Sequence, residues 1–194
     1  MNETVQVKLV VLGQAGVGKS SIVLRYITDS FREDQEPTIG AAFLSKMILV
    51  GDTHVKFNIW DTAGQEKYHS LARMYYYDTS AVILVYDITS YESFEAMKKW
   101  YQEVSEHGPQ DILVGIAGNK EDLVDQEEVD ITEARAFAAS VGAVFKKTSA
   151  KSNYGIEQLF KEIASKVNFQ REALKKQQER IKLEATQENK DGCC

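Results

Sequence analysis

The residues best suited to chemistry open the chain. Gly13-Gln14-Ala15-Gly16-Val17-Gly18-Lys19-Ser20 fits the spacing G-x-x-x-x-G-K-[ST], and its surroundings fit as well. An apolar run from Val5 to Leu12 precedes it, and Ser21 to Tyr26 reads as the start of a helix. In that strand–loop–helix setting, the glycines let successive backbone N–H groups turn inward around phosphate oxygens at the positive end of a helix. Lys19 is placed to reach β- and γ-phosphates, and the Ser20 hydroxyl to ligate Mg²⁺. A chance glycine-rich turn would lack the strand, the helix and the Lys-Ser pair together.

A second set follows the apolar run Ile112 to Ala117, where Asn119-Lys120-Glu121-Asp122 should lie at the carboxyl edge of a sheet, the edge where open α/β sheets bind ligands. Guanine presents two N–H donors side by side, at N1 and its exocyclic amino group. One ionised carboxylate, Asp122, accepts both, whereas adenine has no such donor pair. Asn119 can tie neighbouring loops together and reach the base, and the methylene stem of Lys120 can lie on its flat face. Taken alone, four polar residues are an ordinary strand-to-helix turn. Beside a phosphate loop they read guanine.

Asp61-Thr62-Ala63-Gly64-Gln65 closes a further strand-like run, Val55 to Trp60. Asp61 is placed to help hold Mg²⁺ and Gln65 to orient an attacking water. Gly64, with no side chain, lets its N–H approach a γ-phosphate closely. Thr38, inside Pro37-Thr38-Ile39-Gly40, offers the second hydroxyl for the metal. Thr148-Ser149-Ala150-Lys151 falls on the same sheet edge as Asn119 and can present the Ala150 N–H to guanine O6. Phe31 either packs against base or ribose or serves as a core or lid residue. Ser21, Pro37, Leu123, Ser149 and Lys151 complete the expected nucleotide neighbours, with Gly13, Ala15, Gly16, Val17 and Gly18 of the loop.

These residues need a frame, and the order of elements supplies one. Strand-like runs at Ala42–Val50 and His54–Trp60, joined by Gly51-Asp52-Thr53, predict a hairpin. Ala81 to Tyr86 predicts a buried strand. A helix is expected from about Ser90 to Glu106, stopped by His107-Gly108-Pro109. Asp130-Ile131-Thr132-Glu133 predicts a capping box, opening a helix that ends near Gly142. Ala143 to Lys147 is the last strand and Ile156 opens the last helix. This alternation predicts a three-layer α/β fold: a mostly parallel six-stranded sheet, one antiparallel edge strand, and helices on both faces.

The 194 residues, 43% hydrophobic and 27% charged, suit one globular domain, expected over 1–169, with a flexible tail over 170–194. A net charge of −6 disfavours nucleic acid as a partner. His54, His69 and His107 lack metal-ligand spacing. The amino terminus is polar, and the longest apolar runs are of strand length. Two other classes compete with a nucleotide switch. A P-loop kinase or ATPase would need a second-substrate site that is not evident. A pure interaction module would not need Lys19, Ser20, Thr38, Asp61 and Gln65 together.

In this order and spacing, the five motifs resemble the Ras superfamily of small GTPases from about Val5 to Phe169, and within it the Rab family. Ile39-Gly40-Ala41-Ala42-Phe43-Leu44, Trp60-Asp61-Thr62-Ala63-Gly64-Gln65-Glu66 and Tyr68-His69-Ser70-Leu71-Ala72 are similar to its endosomal branch. The resemblance implies a monomeric Mg²⁺-dependent GTP/GDP switch in membrane trafficking. It implies an exchange factor, a GTPase-activating protein, a GDP-dissociation inhibitor, a prenylation escort protein, and effectors such as tethers. It also implies an aromatic effector triad, here Phe43, Trp60 and Tyr75, which composition alone would read as core. The terminal Cys193-Cys194 matches double prenylation and a lipid anchor on the cytoplasmic face of intracellular membranes. Ala15 stands where the superfamily often has Gly. Arg73 replaces a usual Pro, Tyr77-Asp78 a usual Arg-Gly, and Pro37 also departs from the branch's commonest form.

Overall fold

The structure, a computed structural model, describes residues 4–64, 74–171 and 173. Six strands form one sheet: β1 (Thr4–Leu12), β2 (Ala41–Val50), β3 (Thr53–Thr62), β4 (Ala81–Asp87), β5 (Leu113–Asn119) and β6 (Val144–Lys147). Their spatial order is β2-β3-β1-β4-β5-β6. Only the β2–β3 pair is antiparallel; the other four pairings are parallel. Among the described residues the longer helices are α1 (Lys19–Thr28), α2 (Tyr91–His107), α3 (Ile131–Ser140) and α4 (residues 156–171).

The sheet is buried on both faces because its central strands carry long apolar runs, Leu9–Leu12 in β1 and Ala81–Tyr86 in β4. Along β4 the side chains alternate between two cores. Ala81, Ile83 and Val85 join one with Ile22, Val23 and Tyr26 of α1 and Leu159, Phe160 and Ile163 of α4. Val82, Leu84 and Tyr86 join the other with Phe94, Met97 and Trp100 of α2 and Ala134 and Ala138 of α3. A continuous apolar run thus serves both faces, as parallel sheets require. The edge strand β2 is different. Leu44, Ile48 and Val50 pack inward, whereas Phe43, Met47 and Leu49 are exposed.

The expected boundaries hold to within a few residues, with three instructive differences. Strand β5 extends to Asn119, so that asparagine ends a strand rather than beginning a turn. A short 3₁₀ helix at Glu121–Gln126 carries Asp122; no apolar periodicity announced it. The capping box forms only in half. Asp130 accepts from the Thr132 N–H at 2.6 Å, but the Glu133 carboxylate turns away to receive Tyr91 Oη at 3.0 Å and Lys98 Nζ at 3.1 Å. Those two bonds fasten α2 to α3, which draws Glu133 away from its own cap.

A candidate nucleotide cleft at the strand ends

Every parallel strand delivers a polar residue to one edge. β1 leads into Gly13–Ser20, β3 ends on Asp61 and Thr62, β4 on Asp87, β5 on Asn119, and β6 leads into Thr148. The register sets Val11 opposite Asp61 and Asp87 opposite Asn119. Along this edge runs a cleft of about 500 Å³. All the expected nucleotide neighbours line it except Gly13, Val17 and Ser149, which stand behind the wall. The cleft is also lined by Arg32, Glu33, Gln35, Glu36 and Thr62. The first four of these come from a polar stretch with no chemical signature of its own. Gln65 and Arg73, together with Cys193 and Cys194, lie outside the described residues.

At the phosphate end, Lys19 is buried and donates to the carbonyls of Gly13 and Gln14, each at 2.9 Å. Burial lowers its pKa to about 8, against the pull of the nearby Asp61 carboxylate. Gly18 caps α1 at φ +94°, and a Cβ there would lie 2.3 Å from Asn119 Nδ2. Only glycine satisfies both the left-handed backbone and that approach. Gly64 is nearly as tight: a Cβ would meet Lys19 Nζ at 2.4 Å and the Ala15 nitrogen at 2.6 Å. The methyl of Ala15 faces the open cleft.

The arrangement around Asp61 suits a divalent cation. Its carboxylate is buried and its Oδ1 has no hydrogen-bond partner. Desolvation raises its pKa, while hydrogen bonds from Ser20 and Thr38 and the charge of Lys19 oppose the rise. The Ser20 and Thr38 hydroxyls are 2.6 Å apart. Two hydroxyls and one orphaned carboxylate oxygen form an all-oxygen set of the kind Mg²⁺ takes, completed by phosphates and water. The residues present fit the ion.

At the base end the polar groups are already engaged. Asn119 donates through Nδ2 to the Val17 carbonyl at 2.8 Å and accepts from Thr148 Oγ1 at 3.2 Å. It therefore ties the phosphate loop to the loop after β6, and both ends of its amide are used in doing so. Lys120 adopts φ +66° and pairs with Asp87 Oδ2 at 2.6 Å. The other Asp87 oxygen accepts from the Thr89 N–H and hydroxyl. Asp122 accepts a short hydrogen bond from Ser149 Oγ, whose oxygen in turn accepts from the Ser152 N–H. Phe31 packs against the core and lines the cleft.

Two residues that sequence reasoning missed hold this end together: Asp87 and Arg25. Asp87 sets Lys120. Arg25 donates from Nε to the Ala150 carbonyl at 2.7 Å and from its other nitrogens to the carbonyls of Lys151 and Asp29. Above them the 29–38 segment crosses the cleft mouth. It is fastened by Lys151–Glu33 at 2.9 Å, Asn153 to Asp29 at 2.9 Å and Ser21 to Gln35 at 3.3 Å.

The aromatic trio beside this segment is contiguous. Phe43 and Trp60 are 5.3 Å apart in an edge arrangement, and Trp60 and Tyr75 are 5.5 Å apart. It is not uniformly exposed. Phe43 is 56% exposed, but Trp60 and Tyr75 are half-buried against the core. Ile39, Met74 and Tyr77 add exposed apolar surface nearby in the chain.

A six-stranded sheet with a phosphate loop, an oxygen-ligand set and a preformed carboxylate pocket at one edge defines a P-loop guanine-nucleotide domain. The Ras family model matches residues 8–169, and the chain belongs to that family of GTPases. Its relatives place it in the Rab group. It is 49% identical to Ras-related protein Rab-31 of Mus musculus over 162 residues, 84% of this chain and 83% of the relative. It is 49% identical to Ras-related protein RABF2b of Arabidopsis thaliana over 166 residues, 86% of this chain and 83% of the relative. Over the same length and shares it is 50% identical to Ras-related protein Rab-5A of Dictyostelium discoideum.

Proposed function

We propose that the cleft binds GTP and GDP with Mg²⁺ and that the chain cycles between the two as a switch in endosomal membrane traffic. The observation that carries this reading is the convergence on one cleft of Lys19, the Ser20 and Thr38 hydroxyls and Asp122, with the buried Asp61 carboxylate directly behind the two hydroxyls. Lys19 exchanges its two loop carbonyls for phosphate oxygens. Ser20, Thr38 and Asp61 hold the cation, which supplies charge neutralisation to the phosphates when bound. Asp122, held by Ser149, accepts the N1 and amino protons of guanine, and the Ala150 N–H meets O6. Gln65 orients the attacking water. In this reading the transition-state arginine comes from a partner. Intrinsic turnover is therefore slow, on the order of 10⁻⁴ s⁻¹, and an activating protein's arginine accelerates it by up to about 10⁵. Gln65→Leu keeps bulk and removes the amide. Single-turnover phosphate release checks the role: the variant should bind GTP and retain it, and hydrolysis at the unaltered rate would exclude Gln65.

Effectors would read Phe43, Trp60 and Tyr75, with Tyr77 and Asp78 tuning which ones. Exchange factor, activating protein, dissociation inhibitor and escort protein complete the cycle. No helix among the described residues is long and apolar enough to cross a membrane, and the tail is nearly charge-balanced. From Phe169 on, Arg171, Lys175, Lys176, Arg180, Lys182 and Lys190 face Glu172, Glu179, Glu184, Glu188 and Asp191, so attraction to anionic lipid is weak. Attachment then depends on prenyl groups at Cys193 and Cys194, because one chain alone gives marginal, reversible binding. Changing both cysteines to Ser should leave nucleotide binding intact and move the protein to the cytosolic fraction. Persistent membrane pelleting would place the anchor elsewhere.

A further inference from the structure

We infer that Arg25 is a positioning residue for base recognition, fixing the loop that offers a backbone N–H to guanine O6. This rests on the guanine reading above and deepens it. The guanidinium lies on α1, 125 positions from the loop it holds. Its side chain is only 14% exposed. Three of its contacts are to main-chain carbonyls: Ala150 at 2.7 Å, Lys151 at 3.1 Å and Asp29 at 2.7 Å. The planar fork matters, since it engages carbonyls on two separate segments at once. A lysine could satisfy only part of that set.

The consequence is geometric. The Ala150 and Lys151 carbonyls belong to the two peptides that flank Lys151, directly after the Ala150 N–H in the chain, and Ala150 lines the cleft. Pinning both carbonyls fixes the direction of the short loop. The other end of that loop is set by the paired backbone bonds between Ser149 and Tyr154, at 2.9 and 3.0 Å. The third contact, to Asp29, reaches the residue that ends α1 in a left-handed conformation at φ +55°. From there the chain runs into the segment that crosses the cleft mouth. Asn153 reaches the same residue from the loop side, donating to Asp29 Oδ1. Arg25 thus joins the base loop to the root of the crossing segment, although no atom of it lines the cleft.

This placement gives a signature distinct from general loosening. A fixed N–H donor at O6 favours guanine and hypoxanthine, which both carry that oxygen, and opposes adenine, whose amino group would face a donor. Asp122 acts on the other edge, where hypoxanthine lacks the amino group. Weakening the Arg25 clamp should therefore weaken GDP and IDP together and relax the rejection of ADP. Losing its two hydrogen bonds to the loop should speed GDP dissociation about tenfold.

The experiment measures dissociation rates and competition constants for GDP, IDP and ADP on the full chain, for Arg25→Gln, Arg25→Lys and Asp122→Asn. Arg25→Gln is expected to release GDP and IDP about tenfold faster, with their ratio unchanged, and to narrow the GDP-over-ADP preference by a similar factor. Arg25→Lys should fall between it and the unaltered protein, and it carries the test if the glutamine variant fails to fold. A GDP rate within twofold of the unaltered protein in the lysine and glutamine variants would overturn the inference. So would a loss shared equally by GDP and ADP, because that is what a merely structural residue would produce. Asp122→Asn separates the two levels of the argument. If it leaves guanine preference intact, the guanine reading fails; if it abolishes that preference while the Arg25 variants do nothing, only the present inference falls.

Discussion

At the base end of the cleft, Asn119, Lys120 and Asp122 are each held by another protein group. At the phosphate end, Asp61 has a bare buried oxygen and Lys19 is buried deeply enough to lower its pKa to about 8. The first end resembles a finished interface; the second is electrostatically incomplete until something binds. This contrast suits a switch. A preorganised base pocket makes recognition independent of which nucleotide state is present, because little ordering cost remains at binding. A desolvated cation and anion at the other end make the local energy depend on the phosphates and metal, which are what change on hydrolysis. Thr38 belongs to the crossing segment and touches Ser20 directly, so that dependence passes to that segment.

Asp122→Asn gives the largest expected effect. The guanine donors would lose a charge-assisted bidentate acceptor while staying buried, which costs roughly 2–5 kcal/mol. GTP should weaken accordingly and xanthosine nucleotides gain, since their 2-oxo group suits an amide donor. Competition among GTP, XTP and ATP measures it. Because Ser149 already holds Asp122, the substitution should alter base choice without releasing the phosphate end. Equal losses for every nucleotide would mean that the two ends are not separately prepared.

Next comes pH, which should act first at the phosphate end, at pH values below those where guanine N1 loses its own proton. Unbound, Lys19 titrates near 8 rather than 10.5 because burial opposes its charge. Phosphates favour the protonated form, so nucleotide affinity should fall as pH rises above 8, by up to about tenfold per unit. The unbound fold behaves oppositely. Between pH 8 and 10.5 the unfolded chain holds a proton on this lysine that the folded chain has lost, so Lys19's contribution makes the nucleotide-free protein more stable as pH rises. Affinity and thermal stability measured across pH 7 to 10 should move in opposite directions. Parallel curves would remove Lys19 as their source.

How much of this cleft could be read from the sequence also divides along the two ends. The phosphate loop is legible because its function needs fixed residue types at fixed spacing, and each of Gly18, Lys19 and Ser20 sits where that spacing put it. Asp122 likewise lies on the cleft wall, at the spacing its motif set. Arg25 and Asp87 were not legible, since they act on main-chain carbonyls or on another side chain across the fold, and no local pattern marks such a role. Glu33 and Gln35 lie in a polar stretch that reads as a bare connection. The helical turn carrying Asp122 escaped because it buries no side chain and contains a non-helical Leu123. Half-burial of Trp60 and Tyr75 follows from packing against the second core, which apolar character alone could not distinguish from exposure. The sheet itself was the easiest part, because β4 and β5 carry no charged or amide side chain until their last residues, Asp87 and Asn119, and are buried at every position.

The smallest expected effect tests whether the crossing segment is fastened mainly at its metal end or at its base end. Glu33 and Lys151 are joined at 2.9 Å, but both are well exposed. The pairing holds the Lys151 pKa above its ordinary value, chiefly through the hydrogen bond to Glu33. An exposed ion pair of this kind contributes little, because solvent screens it and two long side chains must be ordered to form it. Glu33→Gln should therefore quicken GDP dissociation by at most a few-fold, and the difference from the unaltered protein should vanish in about 1 M salt, where charges are screened within roughly 3 Å. The Ser20–Thr38 contact holds the other end of the segment in both proteins, so chelating Mg²⁺ should accelerate release far more than losing Glu33 does. Stopped-flow exchange at low and high salt, with and without chelator, orders these effects. If Glu33→Gln released nucleotide as fast as chelation does, the segment would be latched at the base end, and the division drawn between the two ends would have to be abandoned.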